Sequence, residues 1–102
     1  MSTERVTAAD ATTRIKALAE ELSRRGFITT VAANELRHPC VRVVSRQISR
    51  MREDVYAAPE GNEEWFFWWS WAEKIGPVAD VGGAAAAITY VLDPTANSPV
   101  SA

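Results

Sequence analysis

The stretch Trp65-Phe66-Phe67-Trp68-Trp69-Ser70-Trp71 holds all four tryptophans and two of the three phenylalanines of the chain. Aromatic side chains suit a pleated surface, and a run of this length, bounded by Glu63-Glu64 and by Ala72-Glu73-Lys74, fits one strand. Side chains alternate along a strand, so Trp65, Phe67, Trp69 and Trp71 are predicted on one face and Phe66, Trp68 and Ser70 on the other. Large apolar groups therefore stand on both faces. Such a strand belongs at the centre of a small sheet or next to its edge, with one face on the core and the other in need of a partner.

Upstream of it, Pro59-Glu60-Gly61-Asn62 carries strong turn chemistry, which makes Glu53 to Ala58 a strand that pairs with the aromatic one as a hairpin. Val41-Arg42-Val43-Val44 reads as a further strand, and so does the β-branched stretch Phe27 to Ala33. Asn34 to Pro39 reads as a turn or loop, because the proline disfavours helix at His38. Arg46 to Arg50 is ambiguous.

Two helices flank these strands. Ala11, Ile15, Leu18 and Leu22 recur at spacings of four, three and four, which predicts a helix over 8–25 with one apolar stripe. Thr7 and Asp10 resemble a capping box at its start, and Gly26 stands where a C-terminal cap is expected. Downstream, Glu73 to Val78 reads as a connection. Asp80 can then cap a last helix in which Val81, Ala84, Ile88 and Val91 share a face and which Asp93-Pro94 stops. Gly82-Gly83 weakens that helix, each glycine costing about 1 kcal/mol relative to alanine. The expected fold is α+β: a two-layer sandwich in the order helix, three or four antiparallel strands, helix, with both helices on one sheet face. A single domain over 8–93 is expected, with residues 1–7 and 94–102 disordered.

Composition sets bounds on function. A chain of 102 residues with 47% hydrophobic and 24% charged content matches an ordinary globular domain. Its formal net charge of -2 disfavours a dedicated nucleic-acid binder, which relies on excess Lys and Arg to neutralise phosphate. Cys40 is the only cysteine, so no internal disulfide can form. The first residues lack the basic-then-apolar order of a signal peptide, and no apolar run nears the ~18 residues of a membrane span, so a cytoplasmic location is expected.

Candidate chemistry is sparse. His38-Pro39-Cys40 places the only histidine near the only cysteine, but neighbours flanking a proline seldom point together as nucleophile and base must. Structural zinc takes four Cys or His ligands, more than the chain possesses. Gly82-Gly83 before a helix matches neither phosphate-binding fingerprint, and Asp80 would repel a phosphate. Glu53, Asp54, Glu60, Glu63 and Glu64 lie mostly beside a turn, where solvated charge is expected rather than paired acid–base work.

The most informative combination is Arg42, Tyr56, Phe66 and Trp68. If Val41, Val43, Val55, Phe67 and Trp69 face the helices, parity puts these four on the open face together with Val44 and Asp54. Aromatics beside arginine are what binding interfaces favour, and they can stack on flat ligands. The plainer reading is that the stem of Arg42 covers a tryptophan. A bulge would invert the parity and turn Trp69 and Trp71 outward instead.

Phe67-Trp68-Trp69-Ser70-Trp71-Ala72-Glu73-Lys74-Ile75, with Pro77, the alanine-rich last helix, Arg24-Arg25-Gly26 and Glu53-Asp54-Val55-Tyr56, resembles a group of short actinobacterial proteins with no assigned activity. Such proteins are often encoded near helix-turn-helix regulators, so the resemblance implies a regulatory setting and no site residue. The element order also resembles half of a secretion-chaperone-like sandwich, an analogy of fold alone.

The expected function is that of a non-enzymatic interaction protein that dimerises, or docks onto a regulatory protein, through Arg42, Tyr56, Phe66 and Trp68. The alternative is a small-ligand or single-stranded nucleic-acid binder that stacks flat groups on the same aromatics. No cofactor, metal or membrane partner is expected. The purified protein should carry no stoichiometric metal, and chelation should leave its melting temperature unchanged; elemental analysis and a melt with chelator check both.

Overall fold

The computed structural model describes residues 8–34, 37–46, 48, 50–61 and 64–92. The first helix, α1 (Ala8–Arg24), buries Ala11, Ile15, Leu18 and Leu22 completely, as the period of its apolar residues requires. It ends in a Schellman cap. Gly26, at a φ of 100°, donates to the Ser23 carbonyl at 3.0 Å, and Phe27 donates to the Leu22 carbonyl at 3.0 Å. Phe27 and Leu22 are both buried, which completes the apolar contact of that cap and turns the chain directly into the sheet. On the outer surface Glu21 accepts from Arg24 and Arg25 at 2.8 and 2.9 Å. These hydrogen bonds hold its carboxyl below the usual glutamate range.

Five strands follow: β1 (Ile28–Asn34), β2 (Arg37–Val44), β3 (Arg52–Glu60), β4 (Glu64–Trp69) and β5 (Lys74–Pro77). They form one antiparallel sheet in sequence order, with β1 and β5 at its edges. The last helix, α2 (Val81–Leu92), starts at Asp80, whose Oδ1 accepts from the Gly83 N–H at 2.9 Å. A side chain at position 83 would run into that carboxylate, so Gly83 permits this cap geometry and offsets part of its poor helix propensity.

The fold is α+β with an antiparallel sheet, as expected, but it has five strands rather than three or four. The additional strand is β5, in the segment read as a connection. It is four residues long, begins on a lysine and contains Gly76 and Pro77, so nothing in it resembles a β pattern. An edge position explains why it tolerates a proline. What makes it is the turn after β4, where Ala72 takes a φ of 70° while its N–H donates to Trp69 O at 2.9 Å and Trp69 N–H donates to Glu73 O at 2.8 Å.

Three boundaries also differ. His38 and Pro39 belong to β2 and not to a loop; Pro39 stands at the irregularity between Ala32 and Asn34, where a missing N–H breaks no ladder. Pro59 and Glu60 extend β3, because pairing with β2 stops at Tyr56 and leaves Pro59 a partner on one side only, Trp65. The aromatic strand stops at Trp69, so Trp71 lies in the turn. The expectations for Thr7, for Asp93-Pro94 and for disorder at 1–7 and 94–102 lie outside the described residues.

One buried cluster joins both helices and the three central strands: Ile15, Leu18 and Leu22 of α1, Val41 and Val43 of β2, Val55 and Ala57 of β3, Phe67 and Trp69 of β4, and Ala84, Ala85, Ile88 and Leu92 of α2, with Val31 of β1 and Ile75 of β5 packed against it. α1 packs on β1, β2, β3 and α2, while α2 packs on β5 and α1. Val91, expected in this core, is 40% exposed, and Leu92 occupies the place instead. Four residues after Ile88, Leu92 falls in line with it and Ala85, whereas Val91 falls on the flank.

Truncating a fully buried leucine costs about 2–5 kcal/mol, so Leu18→Ala and Leu92→Ala should each lower stability by about that amount. Val91→Ala should change it by less than about 0.5 kcal/mol. Urea unfolding of the three variants checks the burial of each side chain.

Candidate interaction face

The registers of the sheet lay out its second face as a grid. One cross-strand row runs Ala32, Cys40, Tyr56, Trp68, Lys74; the row beside it runs Thr30, Arg42, Asp54. Ile28, Val44 and Arg52 form a third row, and Ala58, Phe66 and Pro77 lie beyond Tyr56 and Trp68. Each of these residues alternates with one facing the buried cluster. None of them is buried, whereas Val41, Val43, Val55, Ala57, Phe67 and Trp69 are.

Pairing between β3 and β4 is continuous from Val55–Trp69 to Glu60–Glu64, so no bulge inverts the aromatic strand there. The irregularity lies between β4 and β5, where Phe67 pairs Gly76 and Trp68 pairs Lys74. Ile75 is the extra residue, and it packs against the core.

The structure brings three of the four singled-out residues together. Tyr56 lies directly across from Trp68, and Phe66 meets Trp68 edge-on, with ring centroids 6.4 Å apart at 71°. Trp68 is fixed in place by its indole Nε1–H, which donates to the Ala58 carbonyl at 3.0 Å. Arg42 is one row away, with its guanidinium turned to Asp54. It donates from Nε to Asp54 Oδ1 at 2.9 Å and from its terminal nitrogen to Oδ2 at 3.3 Å, a two-pronged cross-strand pair. That contact raises the guanidinium pKa above its ordinary value.

The cation on the aromatics is Lys74. Its Nζ stands 4.3 Å from the Phe66 centroid and 5.8 Å from that of Trp68, and it is anchored 2.7 Å from Glu60 Oε1. Sequence reasoning missed this residue because its strand, β5, carries no β signal. Alternation alone could not assign Lys74 to a face.

Two shallow depressions flank the Arg42–Asp54 pair. One, of about 310 Å3, is lined by Thr30, Ala32, Cys40, Arg42 and Asp54. The other, of about 250 Å3, is lined by Arg42, Arg52, Glu53 and Asp54.

The remaining candidates are dispersed. His38 makes an edge-on ring contact with Trp65 at 5.8 Å, while Cys40 sits in the Tyr56 row. Of the acidic residues, Glu53 accepts from Ser70 Oγ at 3.1 Å, and Asp54 and Glu60 are engaged by Arg42 and Lys74. Glu64 is exposed, and Glu63 lies outside the described residues. Among the described residues no three His, Cys, Asp or Glu side chains stand together as metal ligands do, and no helix is long and apolar enough to cross a membrane. Trp71, half exposed, stacks on Trp69 at 4.9 Å and 6°, with its indole N–H donating to Glu73 Oε1 at 2.9 Å.

Comparison of the chain with known protein families, curated proteins and solved structures returns no match.

Lys74 shields Phe66 and Trp68 from water. Lys74→Ala should therefore increase acrylamide quenching of the tryptophan fluorescence without unfolding the domain, whereas Lys16→Ala, an exposed lysine on α1, should leave it unchanged.

Proposed function

We propose that this is a non-enzymatic interaction protein that forms a two-fold dimer through the sheet face bearing Tyr56, Phe66 and Trp68, with Arg42 and Asp54 beside them. In this reading α1 and α2 both cover the opposite face. The observation that carries it is the asymmetry of β4: Phe67 and Trp69 are buried with side chains of both helices, while Phe66 and Trp68 on the other side are only partly covered.

Tyr56, Phe66 and Trp68 are each partly exposed and adjoin one another, and a soluble chain rarely leaves a contiguous aromatic patch to water unless it is used. A second copy of the same face fits the chemistry. The apolar centre is flanked by Arg42 with Asp54 and by Lys74 with Glu60, so the face carries both charge signs in balance and complements itself under a two-fold rotation. Lys74 already lies over the Phe66 ring, and a flat ligand would have to displace it. That favours a protein contact over stacking of a base or a small aromatic. The resemblance to proteins encoded near regulators favours a regulatory setting for such a dimer, with a regulatory protein as the other candidate for the same face.

Light scattering after size exclusion tests the reading. Wild-type protein should run as a dimer, and Trp68→Asp should weaken association at least tenfold while the circular dichroism of the folded chain is kept. Tyr56→Glu should do the same should the first variant fold poorly. Wild-type protein that stays monomeric, or variants that associate as the wild type does, would refute the proposal.

A further inference from the structure

The two edges of the sheet are built differently. β5 is four residues long, carries Lys74 and Pro77, and meets β4 through a bulge, all devices that discourage another strand from pairing there. β1 also pairs its neighbour irregularly, between Ala32 and Asn34, but it is longer and carries neither charge nor proline. Its seven residues are Ile28-Thr29-Thr30-Val31-Ala32-Ala33-Asn34, and Ile28 is 49% exposed. It is bonded to β2 on one side, and no described strand pairs with the other.

We infer that β1 is a second contact surface, at which two copies pair edge to edge, β1 antiparallel to β1, into one continuous sheet. An antiparallel edge is its own complement: a two-fold axis normal to the sheet brings the outward N–H and C=O groups of one β1 onto those of the other. Charged strands resist such self-pairing because like charges meet across the axis, and β1 brings none to it. Pairing near the middle of the strand also sets Ile28 against the far end of the partner's strand, which covers the most exposed aliphatic side chain of the sheet. α1 packs on β1 and β2 together. The two-fold axis normal to the sheet sets the two α1 helices on the same face of the joined sheet. The contact stands apart from the aromatic face and does not depend on it. One strand pair buries less than the about 1,000 Å2 expected of a stable complex, so the contact is weak and forms at high protein concentration.

Amide hydrogen exchange at increasing protein concentration tests it, in the wild type and in Trp68→Asp. Every second amide of β1, those not bonded to β2, should gain protection as concentration rises, in both proteins. Thr30→Lys, which puts like charges across the axis, should reduce that protection at least tenfold. Outward β1 amides that exchange at one fast rate at every concentration, in both proteins, would overturn the inference. If Trp68→Asp is monomeric and its β1 amides stay unprotected, the edge contact fails and the face contact stands. If the wild type and Trp68→Asp associate alike with β1 protected, the edge contact stands and the face contact fails.

Discussion

The pleat of β4 forces Phe67 and Trp69 to one side and Phe66 and Trp68 to the other, and the rest of the domain answers to that division. On the inner side the two rings are buried in one cluster with Val55 and Ala57 of the neighbouring strand and with apolar residues of α1 and α2. Small residues, Ala84 and Ala85, let α2 join that cluster, and the bulkier Leu18, Leu22 and Ile88 fill the space that remains. Each fully buried side chain of this kind contributes roughly 1.5–3 kcal/mol.

Turns carry the division from one element to the next. The Schellman cap at Gly26 delivers Phe27 to the core and starts the sheet without a loop. At the other end, the left-handed Ala72 reverses the chain so tightly that Trp71 folds back on Trp69 and β5 is laid against β4. β5 in turn carries Lys74 to the outer aromatics. A backbone conformation that is unfavourable for alanine taken alone is thus held by two hydrogen bonds and an indole stack.

On the outer face, polar groups are arranged around the aromatics rather than among them. Arg42 spends its charge on Asp54 and Lys74 on Glu60, so neither is left to seek a ligand of one sign. Trp68 has its only donor bonded to the backbone of the adjacent strand. Such a face offers apolar area and balanced charge, the properties on which the proposed protein contact rests. The chemistry of the proposed dimer follows from these pairings more than from any single residue.

The helices, the existence of a sheet and the alternation of β4 were legible in the chain because each rests on a local period: four, three and four in α1, and two along the aromatic run. From that alternation alone Phe67 and Trp69 could be assigned to one face and Phe66 and Trp68 to the other. Which of the two faces is buried was not a local property, since both sides of β4 are apolar; packing decided it, by setting Phe67 and Trp69 in the buried cluster. β5, and with it Lys74, was hidden because a four-residue edge strand containing glycine and proline is made by pairing to its neighbour and not by its own propensity. Pro39 and Pro59 looked like loop and turn residues and became strand residues, because the ladder lacks a partner beside each of them. Arg42 and Asp54 were both assigned to the open face, but their pairing was not legible, since the register that sets them opposite exists only once β2 and β3 have paired.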